Sequence, residues 1–413
     1  QQTSGTTNIT SFTVKEYTSA DMDVTRATAA TRVDENGLVN YAEIVGGEEV
    51  TNGDFATDSD WTLTQTTIAG NKATVNSTTA YSIKLTQSLT TIELGKKYRI
   101  LFTIADAGAT INFKIGFGDL SGGSFSDVIT AAGTYEIDLI QTDASAPSQI
   151  ALIIWDTAVQ TFSITNVSVK EVTRDNVPRI DYTGGGCPHI LAEPERTNLV
   201  TYSEDFTSWT SSNSTLVNST TVVNPSGESS SGLFSVTSGS ATKFSYISVT
   251  TTSNLHSYSI FVKYSDVQFI QLAGGGNGWY ANFDVQNGVL GNTNANSSIE
   301  SFGNGWYKCV ITSTSSDTFS NAAVVIIDSS TSTRLSSTSE VGSVYIWGVQ
   351  LEVGSYATSY IPTSGSTVTR NQDIFTRDGI GSLINSTEGV LFVEMAALTD
   401  DTSFRAMSIS DGT

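Results

Sequence analysis

The chain has 413 residues, of which 38% are hydrophobic and 15% are charged, and its formal net charge is -21. Such a chain, with no lysine- or arginine-rich run, repels a phosphate backbone and an anionic bilayer, so we expect no nucleic acid and no membrane insertion among its interactions. The two cysteines, Cys187 and Cys309, do not make a disulfide framework in a chain of this length, and we expect free thiols.

The composition favours strands. Glycine, serine, threonine and asparagine fill the place of charged residues, and there are only 6 prolines. Threonine and valine are stiff at χ1 and pack well on a pleated sheet. No window has the apolar spacing of an amphipathic helix. The predicted fold is therefore all-β, with tandem antiparallel jelly-roll β-sandwiches joined by extended linkers.

The N-terminal part contains an alternating strand at residues 9–18, ITSFTVKEYT, which nearly repeats residues 164–173, ITNVSVKEVT. The second copy closes a sandwich, so we expect the first to close a preceding one or to complete a sheet in a neighbouring subunit. A strand without a partner would leave its backbone groups unpaired.

The first complete sandwich is predicted from its period-2 strands, which are separated by clusters of glycine, aspartate and serine. These strands are expected at residues 98–104, 111–117, 135–140, 150–155 and 162–169.

A second sandwich is predicted because several short sequences of the first one recur in the same order, which indicates a duplication. We expect equivalent places for Phe55 and Phe206, for Tyr98 and Tyr258, and for Tyr135 and Tyr307. The predicted divisions are a terminal strand plus linker at 1–47, sandwich 1 at 48–174, a linker at 175–197, sandwich 2 at 198–354, a linker at 355–387, and the incomplete start of a further sandwich at 388–413.

Several segments resemble bacteriophage tail-fibre and other virion surface-appendage proteins. They are ATRVDENGLV at 30–39, the segment from NVPRIDYTGGG to SEDFTSW at 176–209, GNGWYKCVITS at 303–313 and YIWGVQLEVGSYATSYIPTSGSTVTR at 345–370. This resemblance implies a structural component of the extracellular phage particle, usually a homotrimer bound to other virion proteins. It also implies that the first sandwich is inserted between GLV at 37–39 and NVPRID at 176–181.

Two further resemblances concern single domains. The opening NGDF at 52–55 with Trp61, and the closing ITNVSVKEV at 164–172, resemble carbohydrate-binding jelly rolls found beside xylanases. That family often binds a structural calcium through acidic residues, but this chain has Ala56 and Asn166 at those positions, so we expect no metal and no cofactor. Residues 388–395 resemble the first strand of a laminin-G-like or concanavalin-like lectin domain.

No catalytic residue is predicted, and we expect the chain not to be an enzyme. His189 and His256 adjoin no nucleophile motif, and no metal-ligand spacing occurs. Two carboxylates can hydrolyse a glycoside, but Glu204 and Asp205 lie at the opening of a sandwich, where a capping or turn role is expected.

The residues that suit ligand binding are aromatic, because sugar rings stack their C–H faces on tryptophan and tyrosine. Trp306 and Trp347 lie in strands that recur in both sandwiches, so a core role is expected for them. The candidates at strand ends or in loops are Trp155, Tyr81, Trp279 and Tyr280.

These features predict a tail fibre or spike segment that acts as a spacer, and they leave open whether its sandwiches also recognise host-surface glycans or serve only as spacers. Two alternatives remain open at this point. One is a secreted bacterial glycan-binding protein or the non-catalytic arm of a polysaccharide-degrading enzyme, and the other is a capsid decoration fibre.

Overall fold

The structure is a computed structural model that describes residues 23–377, except 91, 107, 109, 157, 158 and 186, together with residue 387. The predicted strands at 9–18 and 388–395 lie outside the described residues. Contacts divide the chain into an inserted unit, Tyr41–Val177, and an outer unit formed by Gln1–Asn40 and Pro178–Thr413. The predicted insertion between GLV and NVPRID is therefore confirmed.

The described residues form strands almost throughout. The outer unit begins with β1 (Asp23–Thr25), β2 (Thr31–Val33) and β3 (Val39–Tyr41). The inserted unit contains β4 (Ile44–Glu48), β5 (Thr62–Leu63), β6 (Thr66–Ile68), β7 (Ala73–Thr78), β8 (Ser82–Ser88), β9 (Lys97–Ala105), β10 (Phe113–Asp119), β11 (Gly122–Phe125), β12 (Gly133–Ile140), β13 (Gln149–Ile154) and β14 (Val159–Thr173).

The outer unit continues with short strands and then a second set of long ones. They are β15 (Ile180–Asp181), β16 (His189–Ile190), β17 (Arg196–Asn198), β18 (Thr210–Ser212), β19 (Thr215–Ser219), β20 (Ser231–Val236), β21 (Lys243–Ser248), β22 (His256–Tyr264), β23 (Phe269–Gly274), β24 (Trp279–Asp284), β25 (Val289–Thr293), β26 (Asn296–Ser301), β27 (Trp306–Thr312), β28 (Asn321–Ile326), β29 (Gly342–Val353), β30 (Val368–Arg370) and β31 (Ile374–Thr376). A 3₁₀ turn, Phe206–Ser208, is the only helix in the described ranges, and none there could cross a membrane.

Each unit contains an antiparallel sandwich of the same topology. The inserted unit has sheets in the orders β11-β10-β13-β8-β5 and β12-β9-β14-β7-β6, with β4 also paired to β14. The outer unit repeats these orders as β24-β23-β28-β21-β18 and β27-β22-β29-β20-β19, and it adds β25 and β26 at the edges. The predicted fold class, tandem antiparallel jelly-roll sandwiches, is confirmed.

The strand register confirms the predicted pairs of equivalent residues. Tyr135 lies opposite Phe102, four positions after Tyr98, and Tyr307 lies opposite Val262, four positions after Tyr258. At the opening of the sandwiches, the rings of Phe55 and Trp61 are 5.3 Å apart, and those of Phe206 and Trp209 are 5.7 Å apart.

Side-chain alternation explains where the core forms. In β9 every second residue is buried, because successive side chains point to opposite faces of a sheet. Tyr98, Ile100, Phe102 and Ile104 therefore enter the core of the inserted unit. In the outer unit β22 supplies Tyr258, Ile260 and Val262 in the same way.

Asn166 has a backbone role that the sequence comparison did not indicate. The register between β14 and β9 shifts between Thr165 and Ser168, which marks a β-bulge. Asn166 lies inside this bulge with φ 54°, a left-handed conformation that asparagine adopts more readily than most residues. The residue at this position is thus suited to the bend of β14.

The stretches predicted as linkers at 175–197 and 355–387 are folded where the structure describes them, and they contain a buried charge network. Arg26 donates to Asp373 at 2.6 Å, and Arg179 donates both to Asp373 and, at 2.7 Å, to Glu193. Arg370 contacts Glu193 at 2.8 Å. These five side chains are at most 2% exposed. Apart from Arg179 and Glu193, the paired residues lie far apart in sequence, so no local pattern indicates the network.

The network also fixes the backbone around it. Glu193 and Asp373 exchange two further bonds, because each backbone N–H donates to an oxygen of the other residue at 2.9 Å. Ser359 donates its N–H and its hydroxyl to the Glu193 carboxylate at 2.8 and 2.7 Å. Burial alone would raise the pKa of Glu193, but Arg370, Arg179 and Ser359 outweigh it and hold that pKa at about 2.

We predict that Glu193→Gln lowers the free energy of unfolding of the outer unit by about 3 to 5 kcal/mol, because it leaves the buried guanidinium of Arg370 without a carboxylate and that of Arg179 with Asp373 alone. Glu35→Gln is the matched control, since Glu35 is 62% exposed and 3.7 Å from Arg32, and we expect it to cost less than about 0.5 kcal/mol. Urea unfolding of both variants measures this. Equal, small losses would contradict a structural role for the network.

The same comparison should depend on pH. A glutamate with a folded-state pKa of about 2 and a usual value of 4.5 stabilises the fold fully above pH 4.5. Its contribution is lost as pH falls from 4.5 towards 2. The difference in free energy of unfolding between the wild type and Glu193→Gln should therefore shrink across that pH range. An advantage that stays constant down to pH 2.5 would contradict the assigned charge state.

Candidate functional site

Two of the four predicted binding residues meet in the inserted unit. The ring centroids of Tyr81 and Trp155 are 5.9 Å apart in an edge-to-face arrangement with an interplanar angle of 69°. Tyr81 is 59% exposed and Trp155 is 40% exposed. The ammonium group of Lys114 lies 4.1 Å from the centroid of the Trp155 ring. We call these three residues the aromatic site.

Strand pairing brings the aromatic site together. Ser82 at the start of β8 lies opposite Ile154 at the end of β13, so the residues just outside those strands, Tyr81 and Trp155, become neighbours. Tyr81 has φ 45°, an unusual conformation for a bulky residue, in the turn that leads into β8. The Trp155 backbone N–H donates to Asn112 at 3.1 Å, which anchors the other side.

The aromatic site combines apolar ring surface with a charged donor. Exposed aromatic rings that stand together are suited to the C–H faces of a sugar, and the Lys114 ammonium supplies hydrogen bonds for hydroxyl groups at the ring edge. Trp155 is distinctive in this respect, because the other five tryptophans of the chain are at most 9% exposed.

The prediction for Trp279 is wrong in its premise of an exposed ring. Trp279, Ala281 and Phe283 alternate along β24 and enter the core of the outer unit, and Trp279 is 9% exposed. Tyr280 therefore faces the opposite side of the sheet, where it is partly buried against Ala273 and Ala323. The period-2 pattern of WYANFD contained this information, since neighbouring strand residues cannot share a face.

Trp306 and Trp347 are core residues as predicted, with 1% and 2% exposure. Cys309 is buried and Cys187 is exposed, and both thiols are free as expected. Burial raises the pKa of the Cys309 thiol, which keeps it protonated and inert.

The polar residues considered for catalysis have structural places. Asp205 caps the 3₁₀ turn by accepting the Thr207 N–H at 3.0 Å, and Glu204 accepts the Tyr360 hydroxyl at 2.8 Å, so the predicted capping role is confirmed for Asp205. His256 is the first residue of β22. Its ring is buried, and burial lowers its pKa.

A cavity of about 670 Å³ adjoins the charge network in the outer unit. Its lining includes Glu193 and Asp373, whose carboxylates already hold arginine partners, and Arg196, which lies over the Tyr356 ring at 5.4 Å. Among the residues that the structure describes, no group of three or more histidine, cysteine, aspartate or glutamate side chains is placed to hold a metal ion. We assign this cavity to the structural network.

Sequence reasoning missed a second surface, a groove of about 310 Å³ in the outer unit. It lies on the side of the sheet that faces away from the main core, and its lining includes Phe244, Tyr246, Ala273, Ala323 and Arg334. The alternation of Phe244 and Tyr246 along β21 was a usable signal, because it places two aromatic rings on the same side of one strand.

Comparisons with protein families and with curated proteins give no match. Among solved structures, the chain is similar to the N-terminal tandem CBM22-1-CBM22-2 domain of Xyn10C from Paenibacillus barcinonensis, at 14% identity, over 75% of this chain and 98% of that one, with a TM-score of 0.26. The chain is also similar to a structure from work on the promiscuous specificity of carbohydrate-binding modules of the β-sandwich superfamily. The identity is 12%, the alignment covers 66% of this chain and 97% of that one, and the TM-score is 0.21. Structural similarity at this level does not show what this chain binds.

We predict that Trp155 is oxidised by N-bromosuccinimide before any other tryptophan, because only its ring is substantially exposed. Peptide mass spectrometry after a limiting dose measures the order of modification, with Trp155→Phe as the control that removes the fast phase. Equally fast oxidation of Trp279 would show that β24 does not hold that ring in the core.

Proposed function

We propose that this chain is a structural component of a phage virion surface appendage, which spaces the appendage and recognises host-surface glycans. The observation that carries the recognition part is the exposed pair of Tyr81 and Trp155 beside Lys114. The placement on a virion is supported by the resemblance of residues 30–39, 176–209, 303–313 and 345–370 to tail-fibre proteins.

The binding chemistry follows from the aromatic site. Stacking on one aromatic ring contributes on the order of 1 kcal/mol, so a single site binds weakly. A homotrimer, which the same resemblance implies, would present three sites and raise the apparent affinity through avidity. Mass photometry at micromolar concentration tests that assembly, and a monomer would remove the avidity argument.

We predict that Trp155→Ala weakens binding to host-surface glycans by about fivefold per site, the equivalent of about 1 kcal/mol. Leu120→Ala is the matched control, because Leu120 is an apolar residue of the same unit with 54% exposure and lies outside the aromatic site. Titration against glycans released from the host, and adsorption to host cells, measure the effect.

Salt separates stacking from electrostatic attraction in the same assay. With a net charge of -21 the chain does not attract anionic polysaccharide over a distance. Stacking and hydrogen bonds are screened weakly, so affinity at the aromatic site should change little between low and high salt. Unchanged glycan binding by Trp155→Ala, or a steep loss of binding in salt, would contradict recognition at this site.

A further inference from the structure

The groove in the outer unit has the parts of a ligand site. Its floor includes the small side chains of Ala273 and Ala323, which are nearly inaccessible. Phe244 and Tyr246 stand beside it as a stacked pair, with ring centroids 6.0 Å apart and an interplanar angle of 27°. A volume of about 310 Å³ lies within the range of small-molecule pockets. Arg334 also lines the groove.

Arg334 differs from the other arginines between residues 23 and 370. Each of those others lies within 4.0 Å of a carboxylate, whereas Arg334 has no such partner among the described residues, although acidic residues outnumber basic ones by 41 to 20 in the chain. The paired arginines are Arg26, Arg32, Arg99, Arg174, Arg179, Arg196 and Arg370. The exposed guanidinium of Arg334 is thus available to an external anion.

The backbone on both sides of Arg334 is held by one buried side chain. The amide group of Gln271, which is 0% exposed, donates to Thr333 at 3.2 Å and accepts from the Leu335 N–H at 2.8 Å. Asn282, also 0% exposed, fixes the preceding part of the loop by donating to Ser330 and Ser332.

The conformation beside Arg334 is itself strained. Leu335 has φ 53°, which is an outlier for a bulky residue and is maintained only where the surroundings enforce it. A fixed loop loses little further conformational entropy when a ligand binds, so the backbone that carries Arg334 is preorganised for ligand binding.

We propose that this groove binds a saccharide that carries a carboxylate. A sugar ring would lie against Phe244 and Tyr246, and its carboxylate would accept a pair of hydrogen bonds from the planar guanidinium of Arg334, the geometry that arginine matches best. Polar groups for the sugar hydroxyls are available, because Ser320 and Asn321 line the same groove.

The negative net charge of the chain does not prevent a carboxylate from binding Arg334 at contact distance. At physiological ionic strength charges more than about 8 Å apart are largely screened, whereas a carboxylate and a guanidinium in contact are not. The negative surface slows the approach of an acidic sugar, and the local pair stabilises the complex once it has formed.

The test uses the complete chain on an array in which each carboxylated saccharide, hexuronic or sialylated, is paired with its neutral parent. We expect the wild type to prefer the acidic member by about tenfold or more, and Arg334→Gln to remove that preference. Tyr246→Ala should weaken both members. Lys263→Gln is the matched control, because it removes a cation of the same unit that bonds to Asn304, and it should leave the preference unchanged.

Three results would overturn the inference: no acidic saccharide bound by the wild type, equal binding of the neutral parents, or an acidic preference that survives Arg334→Gln. Binding in the groove is separate from the glycan recognition proposed above, because the groove lies in the outer unit and the aromatic site lies in the inserted unit. Trp155→Ala should therefore keep the acidic preference, and its loss in that variant would also count against the groove. Circular dichroism of each variant confirms that a lost preference does not come from lost folding.

Discussion

The outer unit depends on a buried network of opposite charges. Arg26 and Asp373 are 347 positions apart, yet they form an ion pair without solvent contact, and Arg179 and Glu193 join the same cluster. Charges that are removed from water gain little net stability from pairing, but a single missing partner leaves an uncompensated buried charge. The network therefore makes one arrangement of its segments much more favourable than the alternatives, and it stabilises the pairing of β1 with β31 and of β17 with β30.

This closure explains how a complete sandwich can be inserted into the chain. The outer unit joins residues on both sides of the insertion directly, because Val33 donates to Asp181 at 3.0 Å and Arg179 donates to Thr31 at 3.2 Å. The entropic cost of closing a loop grows only with the logarithm of its length. The inserted unit has its own hydrophobic core, with Phe113 and Phe162 stacked at its centre, so it contributes its own folding energy.

Period-2 alternation made the sandwiches and their duplication predictable, down to the equivalent places of Tyr98 and Tyr258. The same rule places Trp279 in the core, although its position at the end of a strand made it a candidate for ligand contact. The charge network could not be predicted from the sequence. Single arginines in irregular segments are usually exposed to solvent, and residues that pair across hundreds of positions leave no local sequence pattern. Tyr81 and Trp155 were each predicted as candidates at strand ends or in loops, but their contact follows from a strand register that only the structure reveals.

The two sandwiches share a topology and differ in the surfaces they expose. One presents the aromatic pair of Tyr81 and Trp155, and the other presents a groove with Arg334, which has no carboxylate partner among the described residues. The duplicated scaffold therefore carries two chemically different surfaces, and both recognition roles are proposals. Their common purpose in this account is attachment to a host surface. Electron microscopy of virions labelled with an antibody to this chain tests that account most directly. It predicts label on a surface appendage of the particle, and virions without label, with the chain found free in the medium, would contradict it.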